Sequence, residues 1–185
     1  MGFLDNLFSA GVWGEKPPDT PQWKKWIHRN LTDNHCPECL MLDGCWFSND
    51  KKPRWPKHMF CHCILEDIPY NDVLTKSNAN CPYSKFDPYL FDPNKTYKHG
   101  KSTMLESWGY SISDSTYLKE EIAKQGLEKY INGDYALGLS DIYGQRINIR
   151  VELPRRNGNG TVSFVTGWMV RPNGTIQLNT PYGGK

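Results

Sequence analysis

A chain of 185 residues with 38% hydrophobic and 13% aromatic content carries enough apolar side chain for one ordinary domain or two small ones, which excludes a wholly disordered protein. Lysine and arginine number 22 against 20 aspartates and glutamates, and a formal net charge of +2 provides no general field for polyanions, so any nucleic-acid contact must come from a local patch. No apolar run reaches the length of about 18 residues needed to span a bilayer, and MGFLDNLFSAGVWGEK has neither a basic n-region nor a long apolar core, so the chain is expected to be soluble, without a signal peptide or membrane partner.

Residues 1–19 read as an N-terminal arm. Phe3, Leu4, Leu7 and Phe8 fall at helical spacing, and KPPDTP stops any helix because successive prolines cannot donate to it. QWKKWIHRNL reads as a short helix, capped by Thr20 with Pro21 at its first position. Its face of Trp23, Trp26 and Ile27 is expected to anchor it on the cysteine-rich segment next along the chain. Residues 20–68 form a first compact module of loops with short strands around CWF and CHCILEDI. Residues 69–88 are rich in turn formers and read as a linker. The remaining chain, 89–185, sharpens into periodic patterns. KSTMLESWGY sets Met104, Leu105 and Trp108 at helix spacing and ends on Gly109. A second helix runs from an Asp114 or Ser113 cap, with Leu118, Ile122, Leu127 and Ile131 as its core stripe before Gly133. DIYGQRINIRVELP, TVSFVTGWMVRP and TIQLNTPY then alternate as strands, separated by the turns RRNGNG and PNG. The expected fold class is α+β: a small N-terminal module organised around its cysteines, followed by two helices packed on an antiparallel sheet.

The densest chemistry lies in the first module. Cys36 and Cys39 form a C-x-x-C pair, answered after 21 residues by Cys61 and Cys63, with His58 just upstream. Two thiolates on one knuckle and a second pair to close a tetrahedron are the ligand pattern of Zn²⁺, which takes sulfur and nitrogen donors. Structural zinc would supply folding free energy to a segment short of long apolar stretches. Cys36, Cys39 and Cys63 lead the ligand set, while Cys61 and His58 compete for the fourth place because C-x-C is tight for one ion. Five donors crowded together favour a closed, structural site over a catalytic one. Cys45 and Cys81 are expected to be buried or free thiols.

The run TDNHCPECLMLDGCWF…PRWPKHMFCHC resembles the cysteine-rich end of phage head-morphogenesis proteins similar to the Mu F protein, whose pattern is C-x-x-C, then L-D-G, then a His-Pro-x-Cys-Arg-Cys element. Cys36, Cys39, Leu42, Asp43, Gly44, His58, Cys61 and Cys63 match; Met59 replaces the usual proline and His62 the usual arginine. The resemblance implies a virion-associated protein whose partners are capsid, portal or other particle proteins.

The second half resembles an uncharacterised phage and bacterial domain family grouped with the barnase/EndoU/colicin/RelE-like nucleases. The shared points are Tyr89-Leu90, His99-Gly100-Lys101, Gly109-Tyr110, Tyr143-Gly144, Trp168 and Thr180-Pro181-Tyr182. The resemblance implies two helices on a four-stranded antiparallel sheet and toxin-type cleavage of RNA without metal. Such cleavage needs a base for the 2′-OH proton, an acid for the leaving oxygen and fixed cations for the charged phosphorane. His99 supplies the base or acid in this reading. Lys101 and the helix start at Gly100 hold a phosphate, Arg146 faces the transition-state charge, and Thr180 and Tyr182 position the scissile group. The expected function is therefore a virion protein attached through its zinc module and carrying an RNase-like domain. The alternative keeps the attachment and drops the chemistry, leaving a minor structural protein with an aromatic protein-binding face. A third reading binds nucleic acid through Lys51, Lys52, Arg54 and Lys57.

Overall fold

A computed structural model describes residues 20–29, 36–91 and 100–184. The elements run β1 (Trp23–Ile27), α1 (Pro37–Leu42), β2 (Trp46–Ser48), β3 (Ile64–Ile68), α2 (Tyr70–Lys76), β4 (Asn78–Asn80), α3 (Gly100–Ser107), α4 (Ser115–Ile131), β5 (Ala136–Asp141), β6 (Gly144–Pro154), β7 (Thr161–Arg171) and β8 (Thr175–Gly184). They form a mixed α+β protein with two sheets, one three-stranded in the order β2-β1-β3 and one five-stranded in the order β4-β8-β7-β6-β5. The N-terminal arm expected over residues 1–19 lies outside the described residues.

The segment expected as a helix from Trp23 is strand β1, the centre of the small sheet. It runs antiparallel to both neighbours, with Trp23 opposite Ser48 and Ile68, and Ile27 opposite Ile64. Residues three apart share a helix side but point to opposite faces of a strand. Trp23 accordingly meets Tyr130 of α4 edge-on, with ring centroids 5.0 Å apart, while Trp26 turns to the cysteine side. Two ladders of backbone hydrogen bonds and burial of one indole on each face outweigh the local helical reading.

Residues 69–88, expected as a linker, hold α2 and then β4, which lies parallel to β8 through Asn78–Thr175 and Asn80–Gln177 pairing. The antiparallel strands β6, β7 and β8 fall where alternation placed them. β5 and β4, which it did not mark out, widen the sheet to five strands. One face of that sheet is apolar: Ile147, Ile149, Val151 and Leu153 of β6 line up with Trp168, Thr166, Phe164 and Val162 of β7, and all are buried. Helix α4 lies against it. Its buried stripe is Ser115, Leu118, Ile122, Gly126 and Tyr130, so the stripe ends on Gly126 and Tyr130 rather than on the expected Leu127 and Ile131. Gln125 seals the edge of β6 beyond β5 by bonding both backbone groups of Glu152, at 2.7 and 2.9 Å.

A single cluster of buried side chains runs from Trp23 and Phe47 through Tyr130 to Leu178. At the seam, the Tyr130 hydroxyl donates to Trp46 O (2.8 Å), and the Tyr135 hydroxyl accepts from Ser48 N (2.8 Å) while donating to Lys51 O (2.9 Å). The β7–β8 turn closes on the same segment, with Asn173 N donating to Gly44 O (3.0 Å) and Cys45 bridging Pro172. The small sheet, the turn region and the large sheet thus share one interior.

Candidate metal centre

Three pieces of backbone deliver the cysteines. Cys36 caps α1 and Cys39 follows in its first turn, with Pro37 between them at a position where a missing N–H costs nothing. The Leu42-Asp43-Gly44 turn ties that helix to β1: Asp43 Oδ1 accepts from His28 N (2.8 Å), and Gly44 N donates to Trp26 O (2.8 Å). Gly44 adopts φ +73 beside Pro172, whose Cβ lies 3.0 Å from where a side chain would begin, so only glycine serves both turn and packing. The third piece is the loop from Trp55 to Cys63. Trp55 Nε1 donates to Cys63 O (3.0 Å), and Lys57 bridges Glu38 (3.1 Å) and Ser140 (2.6 Å), which folds the loop back over α1.

These contacts gather Cys36, Cys39 and His58 into one donor group and Cys39, Cys61 and Cys63 into another, the donor atoms of each lying within 4.8 Å of one another. Cys39 Sγ is 3.5 Å from His58 Nε2 and 3.9 Å from Cys61 Sγ. A zinc tetrahedron with bonds of about 2.3 Å to sulfur and about 2.1 Å to nitrogen has edges of about 3.8 Å between sulfurs and about 3.6 Å between sulfur and nitrogen. The donor set therefore fits a metal ion of that size and ligand preference without rearrangement of the backbone. Burial pushes the Cys39 thiol well up, reinforced by the neighbouring Cys36 and Cys63. Burial also raises Cys63, although the Trp26 indole favours its thiolate. Burial alone would raise Cys61, but hydrogen bonds from the backbone of Lys57 and Cys63, joined by the Cys63 and Cys39 thiols, bring it below its ordinary value. Glu38, the carboxylate within the C-x-x-C turn, pairs with Lys57 at 3.1 Å. Cys45 and Cys81 are free and buried, as their positions outside the ligand spacing led us to expect.

One donor escaped the sequence reading. His28 Nδ1 lies 3.9 Å from Cys63 Sγ, because the β1–β3 register that pairs Ile27 with Ile64 sets the next residues side by side. A helix over residues 22–31 would not have made that pairing, and the only available signal was the histidine two residues beyond Trp26.

The residues expected to carry RNA cleavage are distributed differently. His99 lies outside the described residues. Lys101 Nζ donates to Thr180 Oγ1 (2.9 Å), whose hydroxyl donates on to Tyr182 O (2.9 Å). The Tyr182 ring packs against Trp108 and Phe164, with centroids 6.2 and 5.7 Å away. Lys101, Thr180 and Tyr182 are thus brought together. Arg146 is not: it lies on β6, two strands from β8, and pairs with Asp141 at 3.0 Å. Of the basic cluster, Lys51 donates to Gly133 O, Lys52 to Asn49 and Lys57 to Ser140, so three of its four members are spent on internal contacts. No described helix is long and apolar enough to cross a membrane. Searches against family models, curated proteins and solved structures find no match to the chain.

Proposed function

We propose that this chain is a zinc-stapled adaptor, attached to a phage or prophage particle at its head or portal region, in which the metal fixes a small sheet and its loops onto an α+β body. The observation that carries the reading is the gathering of Cys36, Cys39 and His58, and of Cys39, Cys61 and Cys63, with Cys39 at tetrahedral-edge distances from His58 and Cys61. The role of the ion is structural: it joins three backbone pieces at one end of the shared interior, while the carboxylate beside it is already paired. Placement in a particle is supported by the likeness of the Cys36–Cys63 element to head-morphogenesis proteins. Exposed Trp55, Met59 and Phe60 on the loop over the metal give that element an apolar contact surface. Quantitative mass spectrometry of particles purified from a strain that encodes the chain should find it at a fixed ratio to the portal or capsid protein. A chain confined to the unassembled cell fraction would contradict attachment.

A second reading, metal-independent RNA cleavage, is supported by the Lys101–Thr180 contact, which puts an ammonium and a hydroxyl at one place beside the start of α3. Cleavage of total RNA that persists in EDTA and falls at least tenfold in both Lys101→Ala and His99→Ala would establish it. RNA left intact by the folded wild-type protein would reduce the chain to the adaptor.

A further inference from the structure

The cysteine cluster holds more donors than one ion takes. A tetrahedral zinc accepts four, whereas four thiols and the His58 imidazole gather here, and His28 stands beside Cys63. They do not surround a common centre. The donor atoms fall into two groups of three that share one member, Cys39, which lies 3.5 Å from the histidine of the first group and 3.9 Å from Cys61 of the second. His28 stands on the side of the second group, 3.9 Å from Cys63.

We propose that the cluster binds two divalent metal ions bridged by the Cys39 thiolate: one held by Cys36, Cys39 and His58, the other by Cys39, Cys61, Cys63 and His28. The inference rests on the zinc reading above and extends it to stoichiometry and to a ligand outside the C-x-x-C and C-x-C pairs. Charge supports it. Four thiolates around one dication leave two negative charges where Cys39 and Cys63 are 1% and 4% exposed, and Lys57 beside Cys61 is already paired with Glu38. Buried charge without a partner is costly, and a second dication brings the cluster to neutrality. The Trp26 indole N–H adds a further sign: it is buried without a hydrogen-bond partner, as a peripheral donor kept for a metal-bound sulfur would be. His28 is in turn oriented through its own backbone, whose N–H donates to Asp43. Turning of the His28 ring from Cys63 toward Cys39 and Cys61 gives the second ion four protein donors and closes it. The first has three among the described residues, with exposed His58 on its outer side, and is open to one more donor.

The test is a titration of the reduced, full-length protein with Zn²⁺, followed by native mass spectrometry, and with Co²⁺, followed by optical and electron paramagnetic resonance spectroscopy. Two equivalents are expected in each. The Co²⁺ resonance signal should grow over the first equivalent and decline over the second, because a shared thiolate couples the two spins. His28→Ala should hold one ion, with circular dichroism matching wild type, and Cys39→Ser should lose the paired species. Saturation of the wild type at one ion would overturn the proposal while leaving a mononuclear staple. No bound metal at all would overturn the zinc reading with it. A His28→Ala protein that still takes two ions would remove His28 from the site.

Discussion

Thr166 shows how much a single side chain decides in this interior. It is fully buried, its hydroxyl donates to Ile149 O (2.9 Å), and it accepts the indole N–H of Trp168 (2.8 Å). Thr166→Val preserves shape but leaves that N–H without an acceptor, and an unsatisfied buried donor costs about 1–3 kcal/mol. Urea denaturation should show that loss as a lower midpoint with an unchanged slope; an unchanged midpoint would mean that the bond contributes nothing net. The ligands are readable at this scale because their chemistry is local: Cys36 and Cys39 lie within one turn, and Cys61 and Cys63 within one extended stretch. His28 was not readable, since its place depends on strand pairing across 35 residues of sequence.

Among the elements, the contact of α4 with the large sheet depends on an absence. A Cβ on Gly126 would lie 2.5 Å from Trp168 Cζ2 and 2.9 Å from Cη2. Alanine in mid-helix normally gains about 1 kcal/mol over glycine. Here, forcing the helix off a buried indole should cost about 1–3 kcal/mol, so Gly126→Ala is expected to lower the melting temperature despite its better helix propensity. A rise would show that the helix can shift freely. The same scale explains what patterning could and could not reveal. Helix α4 and strands β6 to β8 carry long, regular apolar periods and fall where the sequence indicated. β1 has tryptophans three apart, which fits a helix face equally well until β2 and β3 are present on either side. β4 is three polar-flanked residues, Asn78–Asn80, whose strand character comes wholly from β8, nearly 100 positions further on. No local signal could have separated it from a linker.

For the molecule as a whole, the single interior means that the two sheets should lose structure together. Burial holds the Cys45, Cys81 and Tyr135 side chains neutral, each pushed up to about 12. A group whose pKa is raised on folding stabilises the fold fully below its unfolded value and loses that contribution as pH rises through the folded value. Stability should therefore decline between about pH 9, where the unfolded thiols begin to ionise, and pH 12. The decline should be common to near-ultraviolet signals from the tryptophans of both sheets. A loss confined to one set of tryptophans would indicate two independent units.

The most direct measurement compares calorimetric melting of the reduced, metal-loaded protein with that of the same protein stripped by a zinc chelator, with metal content determined on both. The staple account expects bound zinc in the first sample. It expects the stripped chain to melt on the order of 10 °C lower, as a metal held at about a thousand times its dissociation constant contributes about 4 kcal/mol, and re-addition of zinc to restore the transition. A protein that carries no zinc and melts at the same temperature before and after chelation would contradict it.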